Sequence, residues 1–357
     1  MPEAQEIINA VEEGSFGKGN HSNSELYEKV ISLGNLFWAW DRFLKGKRGK
    51  LDVQLFARNL ELHIFQLHEN LKSGLWKHGN YDSFIVCDPK ARQIHKASVI
   101  DRIFHHAIVQ LIEPIFDRTF IYDSWSCRTG KGTHKAVARL ESLLQKLSKN
   151  NREEVWILKC DIRKYFQSVD QQILLKLIAK KITDPQLLNI LKDIIYSFSP
   201  GLPLGNLTSQ LFANVYLSPF DHFVKEKLHS PVYLRYCDDF ILAHNNKEWL
   251  EAQIPVLADF LQKELLHLTL HPHKIHLRPW HWGMDWLGFG VYPDHRVVRH
   301  KTLKRFKKNI FKNVNDYLEG KIEYEDIQPV LGSYSGLLDF ASEGDYKKRL
   351  LALWRCI

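Results

Sequence analysis

Two adjacent carboxylates, Asp238 and Asp239, stand between two apolar runs of the sequence, residues 232–234 and 240–243. The runs are rich in β-branched and aromatic residues, and they predict a β-hairpin with both acids at its tip. A third acid, Asp161, ends another apolar run. An acid pair in a turn has a local explanation, because Asp bonds its own backbone there. Three carboxylates at neighbouring strand ends instead predict a platform for divalent cations, which prefer oxygen ligands and assist nucleotidyl transfer.

The composition is typical of a soluble globular protein that binds a polyanion. The chain has 357 residues, of which 45% are hydrophobic and 25% charged, and its formal net charge is +8. A positive net charge of this size favours nucleic acid as a partner. No apolar stretch is long enough to span a bilayer, and the acidic N-terminus lacks the pattern of a signal peptide. We therefore expect a cytoplasmic protein with no membrane partner.

Periodicity and composition divide the chain into four segments. Residues 1–23 carry Gly, Ser, Asn and Glu without periodicity and are expected to form a disordered tail. Residues 24–80 have apolar residues at helical spacing and are expected to form an N-terminal helical extension. Residues 81–292 mix short strands with helices, and residues 293–357 are basic and helical. The predicted fold class is therefore α+β.

The last segment contains a predicted helix with two distinct faces. Apolar residues recur along one face, and five basic residues share the other. These basic residues are Lys301, Lys304, Arg305, Lys308 and Lys312. A solvated helix face has the same pattern. Next to a polymerase-like metal platform, we interpret the basic face as a binding surface for the backbone of a nucleic-acid duplex.

The residues after Asp161 are suited to bind a metal ion and a nucleotide. A strand that delivers an acid and then bends leaves the carbonyl of Ile162 free to act as a second metal ligand. Phe166 would pack under the sugar of an incoming nucleotide, where its ring would clash with a 2′-hydroxyl and select deoxynucleotides. A core aromatic is the structural alternative for Phe166. Further along, Gly205 precedes a long apolar helix, and a glycine there allows close approach of a ligand to the backbone.

In their order along the chain, these groups resemble motifs A, B and C of a reverse transcriptase. The matching strings are Asp161-x-x-x-x-Phe166, Leu204-Gly205-x-x-x-Ser209-Gln210 and Tyr236-x-Asp238-Asp239. Other segments resemble the fingers and motifs D and E of the same family. They include Pro89-Lys90-x-Arg92-x-Ile94, Ser124-x-x-x-Arg128, Lys274 and Trp286-Leu287-Gly288-Phe289. The resemblance implies a right-hand polymerase fold, with fingers and an antiparallel palm sheet over residues 81–292 and a helical thumb over residues 293–357.

The resemblance also implies roles for particular residues. The three aspartates would be the catalytic groups, and with the Ile162 carbonyl they would hold two Mg²⁺ ions, for which Mn²⁺ can substitute. The residues implied in nucleotide binding are Lys90, Arg92, Phe166, Leu204, Gly205, Gln210 and Lys274. Those implied in nucleic-acid binding are Arg128 and the five basic residues of the predicted thumb helix. The implied partners are template RNA, the primer and cDNA, and deoxynucleoside triphosphates.

Motif B narrows the resemblance to one branch of the family. Most reverse transcriptases have Gln-Gly and then Ser-Pro there, whereas this chain has Leu204-Gly205 and Ser209-Gln210. That form resembles the reverse transcriptases of diversity-generating retroelements, which are similar to group II intron enzymes. It implies copying of a template-repeat RNA into adenine-mutagenised cDNA, which diversifies a target gene by mutagenic retrohoming. It also implies a small basic accessory variability protein as a partner, in a bacterial, archaeal or phage-infected cell.

Low fidelity has a physical explanation at Leu204. A glutamine there would hydrogen-bond near the nucleotide sugar and the template and would hold a nascent base pair in register. Leucine makes no such bond, so the free-energy difference between a correct base pair and a mispair is smaller. A lost hydrogen bond of this kind is worth about 0.5–1.5 kcal/mol, or roughly tenfold in discrimination. The leucine explains loosened selection but not why adenine is the miscopied base.

Three alternatives differ in function. The nearest is another bacterial reverse transcriptase, of the retron, group II intron-related or phage-defence type, against which Leu204 and Gln210 argue. The second is a catalytically silent RNA-binding protein that kept the fold, against which the three intact aspartates argue. The third is a scaffold whose basic surface binds the accessory protein alone, and its RNA affinity would lack a steep salt dependence.

Overall fold

The computed structural model describes residues 25–87, 91–263 and 266–341, apart from the side chain of Tyr324. The predicted tail, the predicted ligand Lys90 and residues 342–357 of the predicted thumb lie outside the described residues. Contacts between residues divide the chain into two compact units. The first contains Met1–Ile121, Ile162–His222 and Ala258–Thr269, and the second contains Tyr122–Asp161, Phe223–Leu257 and Leu270–Ile357.

Helices and short strands alternate along the described residues. The α-helices, in chain order, are α1 (Leu26–Ile31), α2 (Leu33–Leu44), α3 (Leu51–Ala57), α4 (Leu60–Lys72), α5 (Val99–Asp117), α6 (Thr133–Leu147), α7 (Tyr165–Ser168), α8 (Gln171–Ala179), α9 (Pro185–Tyr196), α10 (Leu207–His222), α11 (Lys247–Gln262), α12 (His300–Leu318) and α13 (Tyr324–Phe340). The strands are β1 (Asp82–Val86), β2 (Arg92–Lys96), β3 (Trp156–Asp161), β4 (Val232–Tyr236), β5 (Asp239–His244), β6 (His276–Pro279), β7 (Met284–Trp286), β8 (Phe289–Val291) and β9 (Arg296–Val298).

The first unit is mostly helical, with β1 and β2 forming a separate antiparallel hairpin. Helix α2 begins after Ser32, whose hydroxyl accepts a hydrogen bond from the Asn35 N–H and so caps the helix. The buried side chain of Asn35 donates to the carbonyl of Ala107 in α5 at 3.0 Å. A buried polar contact therefore joins the N-terminal helices to α5.

The second unit is built on an antiparallel sheet with the strand order β4-β5-β3-β6. The pairing of β3 with β5 places Ile157 opposite Ala243, and the pairing of β4 with β5 places Leu234 opposite Ile241. These four side chains are buried in one cluster with apolar residues of α6. Because side chains alternate between the faces of a strand, a shift of one residue would turn these four side chains out of that cluster, so the packing favours the observed register.

A second sheet, with the order β7-β8-β9, and helices α12 and α13 extend the same apolar cluster. The ring of Phe306 in α12 stacks on Tyr334 of α13, with 3.7 Å between the ring centroids. Phe340 of α13 stacks on His134 of α6, with 4.3 Å between centroids. The described part of the predicted thumb therefore shares its core with the sheet that carries Asp161.

The predicted α+β class is confirmed, since helices and antiparallel sheets occur in the same chain. None of the described helices combines the length and the apolar character that crossing a bilayer requires. The bounds of the extension, of the fingers and palm, and of the thumb stay predictions.

The loop before α10 packs directly on the backbone of α7, and Gly201 makes this contact possible. The N–H of Leu202 donates to the carbonyl of Phe166 at 2.7 Å. Gly201 has a φ of +72°, and a Cβ atom there would lie 2.2 Å from the carbonyl oxygen of Phe166. Both the backbone angle and the close contact therefore require glycine.

We expect Gly201→Ala to destabilise the protein strongly, because the added methyl group overlaps the backbone of Phe166. The matched control is Gly46→Ala, since Gly46 has a φ of +70° but nothing within 4 Å of an added Cβ atom. The control measures the cost of the backbone angle alone, about 1–2 kcal/mol. In urea unfolding, the free energy of unfolding should fall by about 2 kcal/mol more in Gly201→Ala than in the control. An equal loss of unfolding free energy in the two variants would contradict the overlap of the added methyl group with the Phe166 backbone.

Candidate functional site

The pairing of β3 with β5 brings two of the predicted acids together. Asp161 is the last residue of β3, Asp239 is the first residue of β5, and the two are direct partners in the antiparallel ladder. The Cβ atoms of such partners lie about 4.5–5.5 Å apart, and like charges at that separation destabilise the pair. The site therefore needs cations to offset the repulsion.

The hairpin that carries the acid pair differs in one detail from its prediction. Tyr236 of β4 pairs with Asp239, so the turn contains two residues, Cys237 and Asp238. Cys237 has a φ of +59°, a value that suits the first central position of a two-residue hairpin turn. Asp238 lies in the turn, whereas Asp239 belongs to β5. The prediction of both acids at the tip was wrong for Asp239, because Asp239 already pairs across the ladder.

Burial raises the pKa of both acids of the pair. It is the main cause at Asp238, and the negative charge of Asp161 raises the pKa further. At Asp239, burial raises the pKa to about 6, although the ammonium group of Lys159 opposes this shift. Carboxylates that have lost water in this way are stabilised in their charged form by any cation that approaches them.

Two lysines of the second unit are paired with the acids. Nζ of Lys274 lies 2.7 Å from Oδ2 of Asp161, and Nζ of Lys159 lies 3.3 Å from Oδ2 of Asp239. Lys159 also donates to the carbonyl of Asp285 at 2.8 Å. Sequence reasoning missed Lys159, although strand alternation places it on the same face of β3 as Asp161 and would have indicated it.

The segment that carries Lys274 is also attached to the backbone of Asp161. The N–H of His271 donates to the carbonyl of Asp161 at 2.7 Å, and the N–H of Lys274 donates to the carbonyl of His271 at 3.0 Å. Lys274 therefore reaches Asp161 from a turn that is fixed to the same residue. Its contact with a nucleotide stays a prediction, because the partner that the structure shows is a carboxylate.

The donor atoms fit a hard divalent cation, although they do not form a closed cage. In the described part of the chain, no group of three His, Cys, Asp or Glu side chains is arranged to hold a metal ion. Among the same residues, Oδ1 of Asp239 is buried without a hydrogen-bond partner. Such an atom is costly, and a cation would satisfy it. Carboxylate donors suit Mg²⁺ or Mn²⁺, and the role of the Ile162 carbonyl stays a prediction.

Three of the predicted nucleotide contacts lie on separate elements of the first unit. Phe166 is half-buried in α7, with its ring edge-on to that of Tyr165 and 5.6 Å between the centroids. Arg92 is exposed on β2, and Gln210 is exposed near the start of α10. Their accessibility is compatible with ligand contact, and their roles stay predictions.

The loop that contains Leu204 and Gly205 is attached to β2. The N–H of His95 donates to the carbonyl of Leu204 at 2.9 Å. Gly205 has a φ of +118°, and a Cβ atom there would lie 2.9 Å from Cγ2 of Ile94. The structure therefore brings the predicted motif B loop together with the predicted fingers hairpin and fixes the backbone at Leu204.

Helix α12 confirms the predicted separation of basic and apolar residues. Phe306 and Val314 are buried on its inner side. Its exposed basic residues include Lys301, Lys304, Lys308 and Lys312. Arg305 is half-buried, and so is Arg128, which donates to the carbonyl of Ser124 at 3.0 Å. Binding of nucleic acid by these cations stays a prediction.

The chain is similar to several proteins of known name. Protein YkfC of Escherichia coli K12 is 24% identical in an alignment of 257 positions, and the match covers 60% of this chain and 65% of YkfC. Nuclear intron maturase 4 of Arabidopsis thaliana is 25% identical in an alignment of 216 positions, and the match covers 57% of this chain and 26% of the maturase. The matched region therefore spans less than two thirds of the length of either relative.

Among solved structures, telomerase from Candida albicans in complex with a fragment of telomeric RNA has a TM-score of 0.49 at 12% identity. The match covers 76% of this chain and 58% of the telomerase chain. A likeness at this level supports no conclusion about function.

A family model settles the family. The model described as reverse transcriptase (RNA-dependent DNA polymerase) matches residues 77–291, which are more than half of the chain. The matched region includes Asp161 and the acid pair after Tyr236. The chain therefore belongs to the reverse transcriptase (RNA-dependent DNA polymerase) family.

Proposed function

We propose that the protein is an RNA-directed DNA polymerase, which adds deoxynucleotides to a primer on an RNA template. The observation that carries this proposal is the pairing of Asp161 with Asp239 beside the turn that holds Asp238. The raised pKa values of Asp238 and Asp239, next to a third acid at an adjacent strand end, are typical of functional sites. The family match supports the same conclusion.

The second unit supplies the groups that would hold two divalent ions. Asp161 and Asp238 would bind them, and Asp239 would add its buried Oδ1. With Mg²⁺ or Mn²⁺ bound, the site gains the charge that helps a primer 3′-hydroxyl to lose its proton and pyrophosphate to leave. Lys159 holds Asp239 through Oδ2. Nζ of Lys274 lies beside Asp161, and in this mechanism it is the proton donor to the leaving pyrophosphate.

The proposed substrates follow from charge and from the predicted nucleotide contacts. The four exposed lysines of α12 suit the phosphate backbone of template RNA and cDNA. The proposed contacts to the deoxynucleoside triphosphate are Lys90, Arg92, Phe166, Leu204, Gly205 and Gln210. The arginine is suited to the triphosphate, because a guanidinium group binds phosphate oxygens in a fixed geometry.

We expect Asp238→Asn to abolish Mg²⁺-dependent primer extension on an RNA template while the protein stays folded. Asparagine keeps the size of the side chain but removes the charge that binds a metal ion. The lost transition-state stabilisation of several kcal/mol corresponds to a rate at least about 1,000-fold lower. The control is Asp294→Asn, which changes an exposed acid of the same unit and should keep the normal rate.

The same assay separates the enzyme from a catalytically silent RNA-binding protein. Extension by Asp238→Asn at the rate of the unmodified protein would overturn the proposed site. If the unmodified protein binds RNA but extends no primer at any Mg²⁺ or Mn²⁺ concentration, the silent RNA-binding protein becomes the better assignment.

We further propose that the enzyme belongs to a diversity-generating retroelement and makes adenine-mutagenised cDNA from a template-repeat RNA. Mutagenic retrohoming of that cDNA, with a small basic accessory variability protein, would then diversify a target gene. Leu204 in place of glutamine supports this proposal. Because the Leu204 carbonyl is held by His95, a substitution at 204 changes the chemistry of the side chain and leaves the backbone in position.

We expect Leu204→Gln to lower misincorporation opposite template adenine by roughly tenfold, because the amide restores a hydrogen bond that a mispair loses. The measurement is sequencing of cDNA made on an adenine-containing RNA. Leu204→Met is the control, since it keeps an apolar side chain of similar volume and should keep the error spectrum. An unchanged adenine error rate in Leu204→Gln would remove the fidelity argument.

A group II intron-related reverse transcriptase is the second candidate. The observation that favours it is the similarity to an intron maturase along more than half of this chain. Such an enzyme would show no excess of errors opposite adenine before any substitution. Sequencing the cDNA of the unmodified protein therefore separates the two candidates.

A further inference from the structure

The turn that carries Asp238 is held by hydrogen bonds to two side chains, in addition to the backbone bonds of the hairpin ladder. The N–H of Cys237 donates to Oγ of Ser126 at 3.0 Å. The carbonyl of Cys237 accepts from Nη1 of Arg235 at 3.0 Å. Both polar groups of the first turn residue are therefore bonded, and they fix the orientation of the two peptide planes that flank it.

Arg235 is fully buried, although a guanidinium group is costly to remove from water. Its Nη2 donates to Oγ of Ser124 at 3.1 Å, so one side chain bonds both the turn and the neighbouring segment. The planar guanidinium presents several donors in a fixed geometry, which a lysine ammonium cannot reproduce. The burial of this residue type is therefore explained by the two acceptors that it joins.

The backbone of the same segment is also paired with β4. The N–H of Arg235 donates to the carbonyl of Asp123 at 3.0 Å, and the N–H of Trp125 donates to the carbonyl of Arg235 at 2.9 Å. Ser124 and Arg235 accordingly form a parallel bridge. The segment from Asp123 to Ser126 thus runs beside β4 in a fixed register. It places the Ser126 hydroxyl at the turn and the Ser124 hydroxyl at the guanidinium group of Arg235.

We propose that Arg235 and Ser126 are positioning residues, which hold the Cys237–Asp238 turn in the orientation that aims the Asp238 carboxylate at its metal ion. We call the hydrogen bonds of Arg235 and Ser126 to Cys237 the turn clamp. The proposal rests on the metal-binding role proposed above for Asp238. Both clamp residues are buried, and each acts through the backbone of Cys237.

The physical need for a clamp arises from the turn itself. Cys237 has a φ of +59°, a region that residues with a side chain occupy rarely, so the turn needs bonds that hold it there. Asp238 is the next residue along the chain, and rotation of the peptide between them would redirect its carboxylate. A displacement of about 1 Å at a reacting centre lowers rates by roughly 100-fold.

The test compares Ser126→Ala with Ser230→Ala in the full chain. Both serines are buried, and Ser230 bonds the carbonyl of Val232 at the opposite end of β4. In Ser126→Ala, hydrogen exchange of the Cys237 amide should become at least about tenfold faster. The kcat of primer extension should fall about tenfold, while the KM for the deoxynucleotide stays unchanged. Ser230→Ala should leave the exchange at Cys237 and kcat unchanged.

Arg235→Lys extends the test to the other bond of the clamp. Lysine keeps the positive charge but cannot hold Ser124 and Cys237 together, so kcat should fall by roughly 100-fold, again without a change in KM. If this variant does not fold, Ser126→Ala alone decides. Unchanged exchange at Cys237 in Ser126→Ala, or a kcat no lower than that of Ser230→Ala, overturns the clamp.

Hydrogen exchange keeps this proposal distinct from the proposed function. Faster exchange at Cys237 in Ser126→Ala reports on the turn whether or not the protein polymerises. If Asp238→Asn keeps the normal rate of extension, the metal-binding role of Asp238 fails, and the positioning role falls with it even where the exchange result is as expected.

Discussion

The antiparallel pairing of β3 with β5 is the interaction on which the whole site depends. It sets Asp161 opposite Asp239, although neither residue has any local relation to the other in the sequence. A shift of one residue would turn every side chain of a strand to the other face of the sheet. The buried partners Ile157 and Ala243 oppose such a shift, because it would remove them from the apolar cluster in which they pack. Apolar packing in the middle of the strands thus determines where the acids meet at their ends.

That pairing brings two acids together, and the neighbouring lysines offset their repulsion only in part. Lys159 and Lys274 each bond one oxygen of an acid, yet burial still raises the pKa of Asp239 to about 6. Among the described residues, the other oxygen of Asp239 has no hydrogen-bond partner. A site that its own lysines neutralised completely would gain little from a metal ion. This site is left with negative charge and an unsatisfied oxygen, and both favour a divalent cation.

Local patterns in the sequence were sufficient to predict the strands that carry the acids and the two faces of α12, because periodicity depends on residues that are close together in the chain. They were insufficient for contacts between distant segments. Lys159 and Arg235 are unremarkable in sequence, and their partners Asp239 and Ser124 follow only from the strand pairing that the fold selects. The position of Asp239 was wrong for the same reason, since the length of a turn depends on the register of the strands beside it.

Two loops of the molecule have one feature in common. Hydrogen bonds hold the backbone of each loop, and the side chain with the proposed function takes no part in them. The carbonyl of Leu204 is bonded by the N–H of His95, and the backbone of Cys237 is bonded by Ser126 and Arg235. In each case the side chain that would do the chemistry, at position 204 or 238, makes none of these bonds. Because the backbone geometry is set independently of this side chain, the chemical character of the side chain can change without moving the loop. A substitution at position 204 can therefore change that side chain while the pairing of Asp161 with Asp239 stays intact.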